Sequence, residues 1–213
     1  MKKESKTLLI GGSGNLGSAI VKSKIFKNLY FPIKKNLNIE KRSQIKRVLL
    51  KNNFDLIINC AAIARMRECE KNPSKAIKVN IFGTKNLVDE IINYEKIFNK
   101  KIKLIHISTD GVYPSMNGNY SENSRIEPYN VYGWTKYYSE LIVKKLKNYV
   151  VIRTRFFDKK NIRFNTAATD IFTSMIEVQN LIKSIKVIYV KKFVGVINIG
   201  SERKSDFNNY KKF

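Results

Sequence analysis

The chain of 213 residues is long enough for one ordinary domain, and its apolar content of 43% excludes a mostly disordered protein. Its 41 lysine and arginine residues outnumber 17 aspartate and glutamate residues, and the formal charge of +24 would attract phosphate groups. These positive charges are spread along the whole chain, without an arginine-rich arm or a known nucleic-acid motif, so we expect no nucleic-acid partner.

Cysteine usage and hydropathy bear on the cellular compartment. Cys60 and Cys69 are the only two cysteines, and they have neither metal-ligand spacing nor a disulfide framework. This pattern indicates a reducing compartment and no metal site. The apolar stretch near the start is too short for a signal peptide, and no apolar run approaches membrane-spanning length. We therefore expect a cytoplasmic protein without a membrane partner.

Short apolar runs alternate with longer amphipathic ones, a pattern typical of βαβ units around a parallel sheet. The predicted strands, in chain order, lie at about 6–10, 29–33, 55–59, 102–107, 149–153 and 194–199. The predicted helices lie at about 15–25, 40–52, from Pro73 onward, around Tyr132, and at about 170–184. The apolar face of the helix after Pro73 is expected to hold Ile77, Ile81, Leu87, Val88 and Ile91. The sequence thus predicts an α/β fold with a Rossmann-type, doubly wound parallel sheet.

The first predicted strand runs directly into the glycine loop Gly11-Gly-Ser-Gly14-Asn-Leu-Gly17. In such a loop Gly11 permits a tight turn, Gly14 lets backbone amides approach a pyrophosphate, and Gly17 lets the next helix pack closely. The helix N-terminus adds partial positive charge. Glycine-rich turns without a ligand are common, but a strand before and a helix after this one favour dinucleotide binding.

The choice between NAD and NADP depends on the residues after the second strand. An acidic residue about 20 positions after the loop would bind the 2′-hydroxyl of NAD. None stands in the weak second strand, and Lys34 and Lys35 follow it instead. Both could be solvent-facing residues of a lysine-rich chain, but cations here suit a 2′-phosphate. We predict NADP or NAD as cofactor, with NADP slightly favoured.

Tyr132-Gly-Trp-Thr-Lys136, downstream of His106-Ile-Ser-Thr-Asp110, is the second informative motif. A tyrosine and a lysine four residues apart share one helix face, and the lysine charge should lower the tyrosine pKa from about 10. Thr109 follows a predicted strand at the sheet edge where ligands bind in open α/β sheets. His106, the one histidine, is interpreted as a packed core residue without a role.

Five segments resemble the extended short-chain dehydrogenase/reductase superfamily and, within it, the dTDP-4-dehydrorhamnose reductase group. They cover nearly all of residues 7–154: the glycine loop, residues 56–87 with Asn80, residues 107–113, residues 128–136 and residues 151–154. The resemblance implies that residues 1–155 form an NAD(P)-binding Rossmann domain with the catalytic residues. Residues 156–213 would form a truncated substrate-binding portion on the same sheet, with 164–174 standing in for substrate-binding elements.

The resemblance also implies a role for individual residues. Thr109 would hydrogen-bond the substrate oxygen, Tyr132 would donate a proton, and Lys136 would bind the nicotinamide ribose and lower the tyrosine pKa. The implied cofactor-binding residues are Gly11, Gly14, Asn15, Leu16, Gly17, Asn38, Ala61, Ala62, Asn80 and Lys136. Asn38 stands where the family usually has an aspartate that contacts adenine, and its amide can still bond the exocyclic amine.

The implied activity is reduction of a nucleotide-linked 4-keto sugar by hydride transfer. Asp110 is followed by Gly111 rather than by the glutamate of sugar-nucleotide dehydratases, which disfavours dehydration. A sugar-nucleotide epimerase with retained NAD and a non-catalytic NAD(P)-binding regulatory subunit remain alternatives. A homodimer is a further expectation of the resemblance.

Overall fold

The computed structural model describes residues 5–116, 118–160 and 167–210. Counted in chain order, the strands of its main sheet are β1 (Thr7–Ile10), β2 (Leu29–Tyr30), β3 (Leu56–Asn59), β4 (Lys103–Ile107), β5 (Tyr149–Thr154) and β9 (Gly195–Ile199). All pair in parallel in the order β2-β1-β3-β4-β5-β9. The strand order reverses between β1 and β3, which is where ligands bind in doubly wound sheets. The predicted fold class is confirmed.

Helices connect these strands. They are α1 (Asn15–Ser23), α2 (Arg42–Lys51), α3 (Met66–Lys71), α4 (Pro73–Ala76), a π-helical segment (Ile77–Phe82), α5 (Gly83–Phe98), a 3₁₀ turn (Asp110–Val112), α6 (Val131–Val143), α7 (Val178–Val190) and α8 (Asp206–Tyr210). The apolar runs of the central strands are buried because helices cover both faces of the sheet. On one face α2 and α5 bury Ile45, Leu87 and Ile91, and on the other α1 and α7 bury Ile20 and Leu181.

The helix after Pro73 differs from the predicted regular amphipathic helix. Leu87, Val88 and Ile91 are buried as expected, whereas Ile77 is 38% exposed. The reason is the π-helical segment, whose i→i+5 hydrogen bonds shift the phase of a pattern that assumes 3.6 residues per turn.

The predicted helix at 170–184 is wrong over its first eight residues. Phe172–Thr173 form β7, which pairs antiparallel with β10 (Lys204–Ser205), and Ile176–Glu177 form β8, which pairs with β6 (Phe156–Phe157). Helix α7 begins only at Val178. The partner of β7 lies about thirty residues away in sequence and that of β8 about twenty, and such pairing outweighs a local helical pattern.

The C-terminal residues contribute to the main sheet. Strand β9 pairs with β5 from Val150 to Thr154, and α7 packs against α1. A division of the chain at residue 155 stays a prediction. None of the helices within the described ranges combines the length and apolar character needed to span a bilayer.

Candidate active site

A cleft runs along the carboxyl ends of β1, β3 and β4. It consists of two adjoining cavities of about 490 and 650 Å³, both bordered by Gly14, Cys60 and Ala62. With one exception, the residues predicted to bind the cofactor or to act in catalysis line one of these two cavities. The exception is Asn80.

The glycine loop forms one wall of the cleft. Gly11 has a φ of +84°, and a Cβ added there would lie 2.7 Å from the Ala61 amide nitrogen. A Cβ on Gly17 would lie 2.1 Å from the Gly11 carbonyl oxygen. The amide of Gly14 donates to that same carbonyl at 3.1 Å, and α1 then starts at Asn15. The loop therefore folds so tightly that side chains at Gly11 and Gly17 cannot fit, and it presents a helix N-terminus to the cleft.

The opposite wall of the cleft comes from the end of β3 and from the segment after β2. Asn38 and Ala61 line the smaller cavity, and Ala62 borders both. The Asn38 side-chain oxygen accepts the Glu40 amide at 3.1 Å, which fixes the orientation of the carboxamide. Lys34 lines the smaller cavity beside Phe31 and Pro32.

Asn80 lies behind the cleft rather than in its wall. It is 1% exposed; its Oδ1 accepts the Ile63 amide at 2.8 Å, and its Nδ2 donates to Thr135 Oγ1 at 2.9 Å. Its side chain thereby ties the loop after β3 to helix α6. A role of Asn80 in cofactor binding would be exerted through that loop.

Thr109, Tyr132 and Lys136 line the larger cavity together. The Thr109 hydroxyl donates to Asp110 Oδ1 at 3.2 Å and accepts the Gly111 amide at 3.1 Å. The N-cap at Asn130, whose Oδ1 accepts the Gly133 amide, starts helix α6 so that Tyr132 lies in its first turn. The four-residue spacing then places Lys136 one turn further along the cleft.

The expected fall in the pKa of Tyr132 is not what the structure has. Burial raises the pKa of Tyr132, the Asp110 carboxylate adds to the rise, and a polar contact with Thr109 and the charge of Arg155 oppose it only in part. Lys136 does not offset this effect, because its Nζ is turned toward His106. The phenol is thus held in its protonated form.

Lys136 is only 2% exposed, and its Nζ lies 3.1 Å from His106 Nε2. Burial lowers the pKa of Lys136 to about 8, although the Glu140 carboxylate acts in the opposite direction. Burial also raises the pKa of the Cys60 thiol to about 12, so this thiol is neutral. The lysine therefore loses its charge just above neutral pH.

His106 is fully buried, as predicted, but it also contacts the site. Besides Lys136, its ring contacts Asn59 Nδ2 at 3.2 Å and Ser139 Oγ at 3.0 Å. Sequence reasoning missed these contacts, because they join β3, β4 and α6 across more than thirty residues. One local pattern hints at these contacts: side chains alternate along β4, so His106 and Ser108 are predicted to lie on the same face of the sheet.

A buried ion pair under the cleft was also missed. Arg153 Nη2 lies 2.7 Å from Glu140 Oε2, with side chains 2% and 0% exposed. Ser108 Oγ donates to Glu140 at 2.5 Å, and Arg153 Nη1 donates to Tyr113 Oη at 2.7 Å. This network joins the ends of β4, β5 and α6, which carry Thr109 and Lys136.

A further cavity, of about 820 Å³, adjoins the cleft at Gly111, Thr154 and Arg155. Residues 170–174 line it, together with Arg203, whose guanidinium lies over the Phe172 ring. Of the segment 164–174 expected to serve the substrate, residues 164–166 lie outside the described residues.

The sheet topology and the glycine-lined cleft at its switch point define a Rossmann-type α/β protein. The family model described as RmlD substrate binding domain matches residues 5–189. The chain belongs to this family, which confirms the resemblance found in the sequence.

Two curated relatives match part of the chain. The chain is 28% identical over 160 residues to an uncharacterized membrane protein of Methanocaldococcus jannaschii, covering 65% of this chain and 42% of the relative. It is 31% identical over 144 residues to a dTDP-4-keto-6-deoxy-D-glucose reductase of Streptomyces niveus, covering 65% of this chain and 47% of that protein. The chain thus spans less than half the length of either.

A solved structure resembles nearly the whole chain. It is the dTDP-4-dehydrorhamnose reductase of Bacillus anthracis in complex with NADP, with a TM-score of 0.88 and 25% identity. The match covers 99% of this chain and 79% of that one.

Proposed function

We propose that the chain is an NAD(P)-dependent reductase of a nucleotide-linked 4-keto sugar. The observation that carries the proposal is that Thr109, Tyr132 and Lys136 line one cavity together with the glycine loop. A protein that only binds a dinucleotide has no need of a protonated phenol and a titrating lysine beside that loop. The named activities of the Streptomyces and Bacillus relatives support the same reaction.

The cleft suits a dinucleotide. The loop that a Cβ would obstruct at Gly11 and Gly17 would hold the pyrophosphate, with the N-terminus of α1 behind it. Asn15 and Leu16 would lie at its side, and Ala61, Ala62 and Asn38 would form the opposite wall. When bound, the nicotinamide cofactor supplies the hydride. Lys34 in the smaller cavity supports NADP over NAD, since it could meet a 2′-phosphate.

The chain's own residues would supply the proton and the charge stabilisation. Reduction of a ketone needs a proton donor at the oxygen that becomes a hydroxyl. Tyr132 is protonated at neutral pH, and burial raises its pKa further. The Thr109 hydroxyl, which donates to Asp110 in this structure, would turn to donate a second hydrogen bond to that oxygen. In its charged form Lys136 would turn from His106 and stabilise the phenolate that remains, so turnover needs this lysine as a cation.

The adjoining cavity at Gly111, Thr154 and Arg155 would hold the nucleotide-linked sugar. Arg155 is paired with Asp110 at 3.0 Å, and Arg203 covers Phe172, so two guanidinium groups border this cavity. Both are suited to a diphosphate, which supports a nucleotide-linked rather than a free sugar as substrate.

A homodimer is the proposed assembly. Helix α6 exposes Trp134, Tyr138 and Leu141 at 41%, 49% and 40%, and the neighbouring π-helical segment exposes Phe82 at 55%. A second copy of the chain could cover these side chains across a two-fold axis. The cytoplasmic location expected from the sequence stays a prediction.

An assay panel tests the function. dTDP- and UDP-linked 4-keto sugars are incubated with the chain and either NADPH or NADH, and cofactor oxidation is followed. We expect stoichiometric oxidation with at least one sugar, faster with NADPH. Isomerised sugar without net cofactor oxidation would indicate an epimerase, and cofactor binding without turnover would indicate a regulatory subunit; either result contradicts the proposal.

A further inference from the structure

Hydrogen-bond polarity determines the tautomer of His106. The Ala61 amide can only donate, and it lies 3.1 Å from Asn59 Oδ1. The NH₂ group of Asn59 therefore faces His106 Nδ1, at 3.2 Å. Because that group also can only donate, Nδ1 must accept, and in a neutral imidazole the proton is then on Nε2.

The position of this Nε2 proton follows from Ser139. Ser139 Oγ lies 2.6 Å from the Lys136 carbonyl oxygen, which can only accept, so the Ser139 proton points there. Ser139 Oγ is then the acceptor for His106 Nε2–H at 3.0 Å. The same N–H also faces Lys136 Nζ, 3.1 Å from Nε2.

Only one form of the lysine suits this arrangement. An ammonium group has no lone pair, so a charged Lys136 would place its N–H donors against the Nε2–H donor of His106. A neutral amine offers a lone pair to the Nε2 proton. Within the described part of the chain, the two groups that would favour the ammonium form are occupied or neutral: Glu140 pairs with Arg153 at 2.7 Å, and the Cys60 thiol is protonated.

We propose that His106 is a positioning residue whose Nε2–H holds the neutral form of Lys136 and thereby sets the pH at which this lysine becomes a cation. The link to turnover rests on the proposed function, whereas the contact itself does not. His106 remains neutral throughout, since burial and the nearby lysine both lower its pKa. Above a pH of about 8, Lys136 is a neutral amine that accepts the His106 Nε2–H. Below this pH, Lys136 carries its positive charge.

A nuclear magnetic resonance titration of the full chain tests the contact without any substrate. The chain has one histidine, so ¹⁵N-histidine labelling gives unambiguous ring signals. We expect a neutral ring with protonated Nε2, and one shift of the Nε2 signal near pH 8. This step should vanish in Lys136→Met and persist in Tyr132→Phe. A protonated Nδ1, a titrating imidazolium, or a step that persists in Lys136→Met would overturn the proposal.

Two neighbouring substitutions should move the activity profile in opposite directions, which a packing role alone would not do. Turnover should fall as pH rises through the pKa of Lys136, because its charged form is lost. His106→Leu removes the N–H that favours the amine, so this fall should move up by roughly one pH unit. Ser139→Ala leaves that N–H to Lys136 alone, so the fall should move down. His106→Gln keeps an N–H donor and should restore the wild-type profile.

The proposal can still be tested if one variant does not fold. Should His106→Leu not fold, the Ser139→Ala profile and the tautomer measurement still decide the matter. Shifts in the same direction for His106→Leu and Ser139→Ala, or no shift in either, would contradict the proposal. If no keto sugar is reduced but the step near pH 8 is found, the proposed function fails and the contact stands.

Discussion

The cofactor side and the substrate side of the site are built differently. On the cofactor side a contiguous loop, Gly11 to Gly17, determines the geometry, and its constraints are those of the local backbone. On the substrate side the cavity wall is assembled from β5, the segment 170–174 and Arg203, which are distant in sequence. The cofactor side can therefore be identified from a sequence motif, whereas the substrate side depends on long-range pairing.

The largest expected effect concerns the tyrosine that lies between the two sides. Tyr132→Phe should lower turnover by about 10²–10⁴-fold because the proton donor is lost. NADPH affinity, measured by fluorescence titration, should change little. Tyr137→Phe on the same helix is the control and should retain wild-type rates. Retained turnover in Tyr132→Phe would remove this residue from the reaction.

The buried pair beneath the substrate side should matter next. Arg153→Met leaves Glu140 charged and unpaired, which should reduce the free energy of unfolding by about 3–5 kcal/mol. Urea unfolding measures this value. Arg155→Met, which breaks a half-exposed pair with Asp110, is the matched control and should change it by about 1 kcal/mol or less. Equal losses in both variants would show that burial does not distinguish the two pairs.

A substitution in the glycine loop tests whether local backbone geometry alone controls the cofactor side. In Gly17→Ala the new Cβ would lie 2.1 Å from the Gly11 carbonyl oxygen, so the loop must shift. NADPH affinity should fall by roughly tenfold or more. In Gly12→Ala the nearest atom to the Cβ is the Phe31 Cβ at 3.4 Å, so a smaller loss is expected. If Gly12→Ala proves the more damaging, the tight loop is not what determines affinity.

The smallest expected effect concerns cofactor choice. Lys34→Gln should weaken NADPH binding by about threefold to tenfold and leave NADH binding unchanged, since only NADPH has the 2′-phosphate. Lys35→Gln is the control and should have no effect on either cofactor. Comparable losses of affinity for NADPH and NADH in Lys34→Gln would show that this lysine does not bind the 2′-phosphate.

The same contrast explains what could be predicted from the sequence. The parallel sheet and the placement of Gly11 and Lys136 along one cleft follow from apolar strands, glycines and a four-residue spacing, whereas the position of Ala62 was implied by the family resemblance. The partners of His106 and of Arg153 could not be predicted, because they lie on other strands and helices. The pKa of Tyr132 was predicted in the wrong direction because burial, which a sequence does not reveal, outweighs the neighbouring lysine.

The most direct measurement is the fate of deuterium carried at C4 of the reduced nicotinamide. The chain is incubated with NADPH that carries deuterium at both C4 positions and with dTDP-linked 4-keto sugars, and the products are analysed by mass spectrometry and NMR. We expect one deuterium on the former keto carbon of the sugar, with transfer reduced to a trace in Tyr132→Phe. A reduced sugar without deuterium, or equal transfer by Tyr132→Phe, would contradict it.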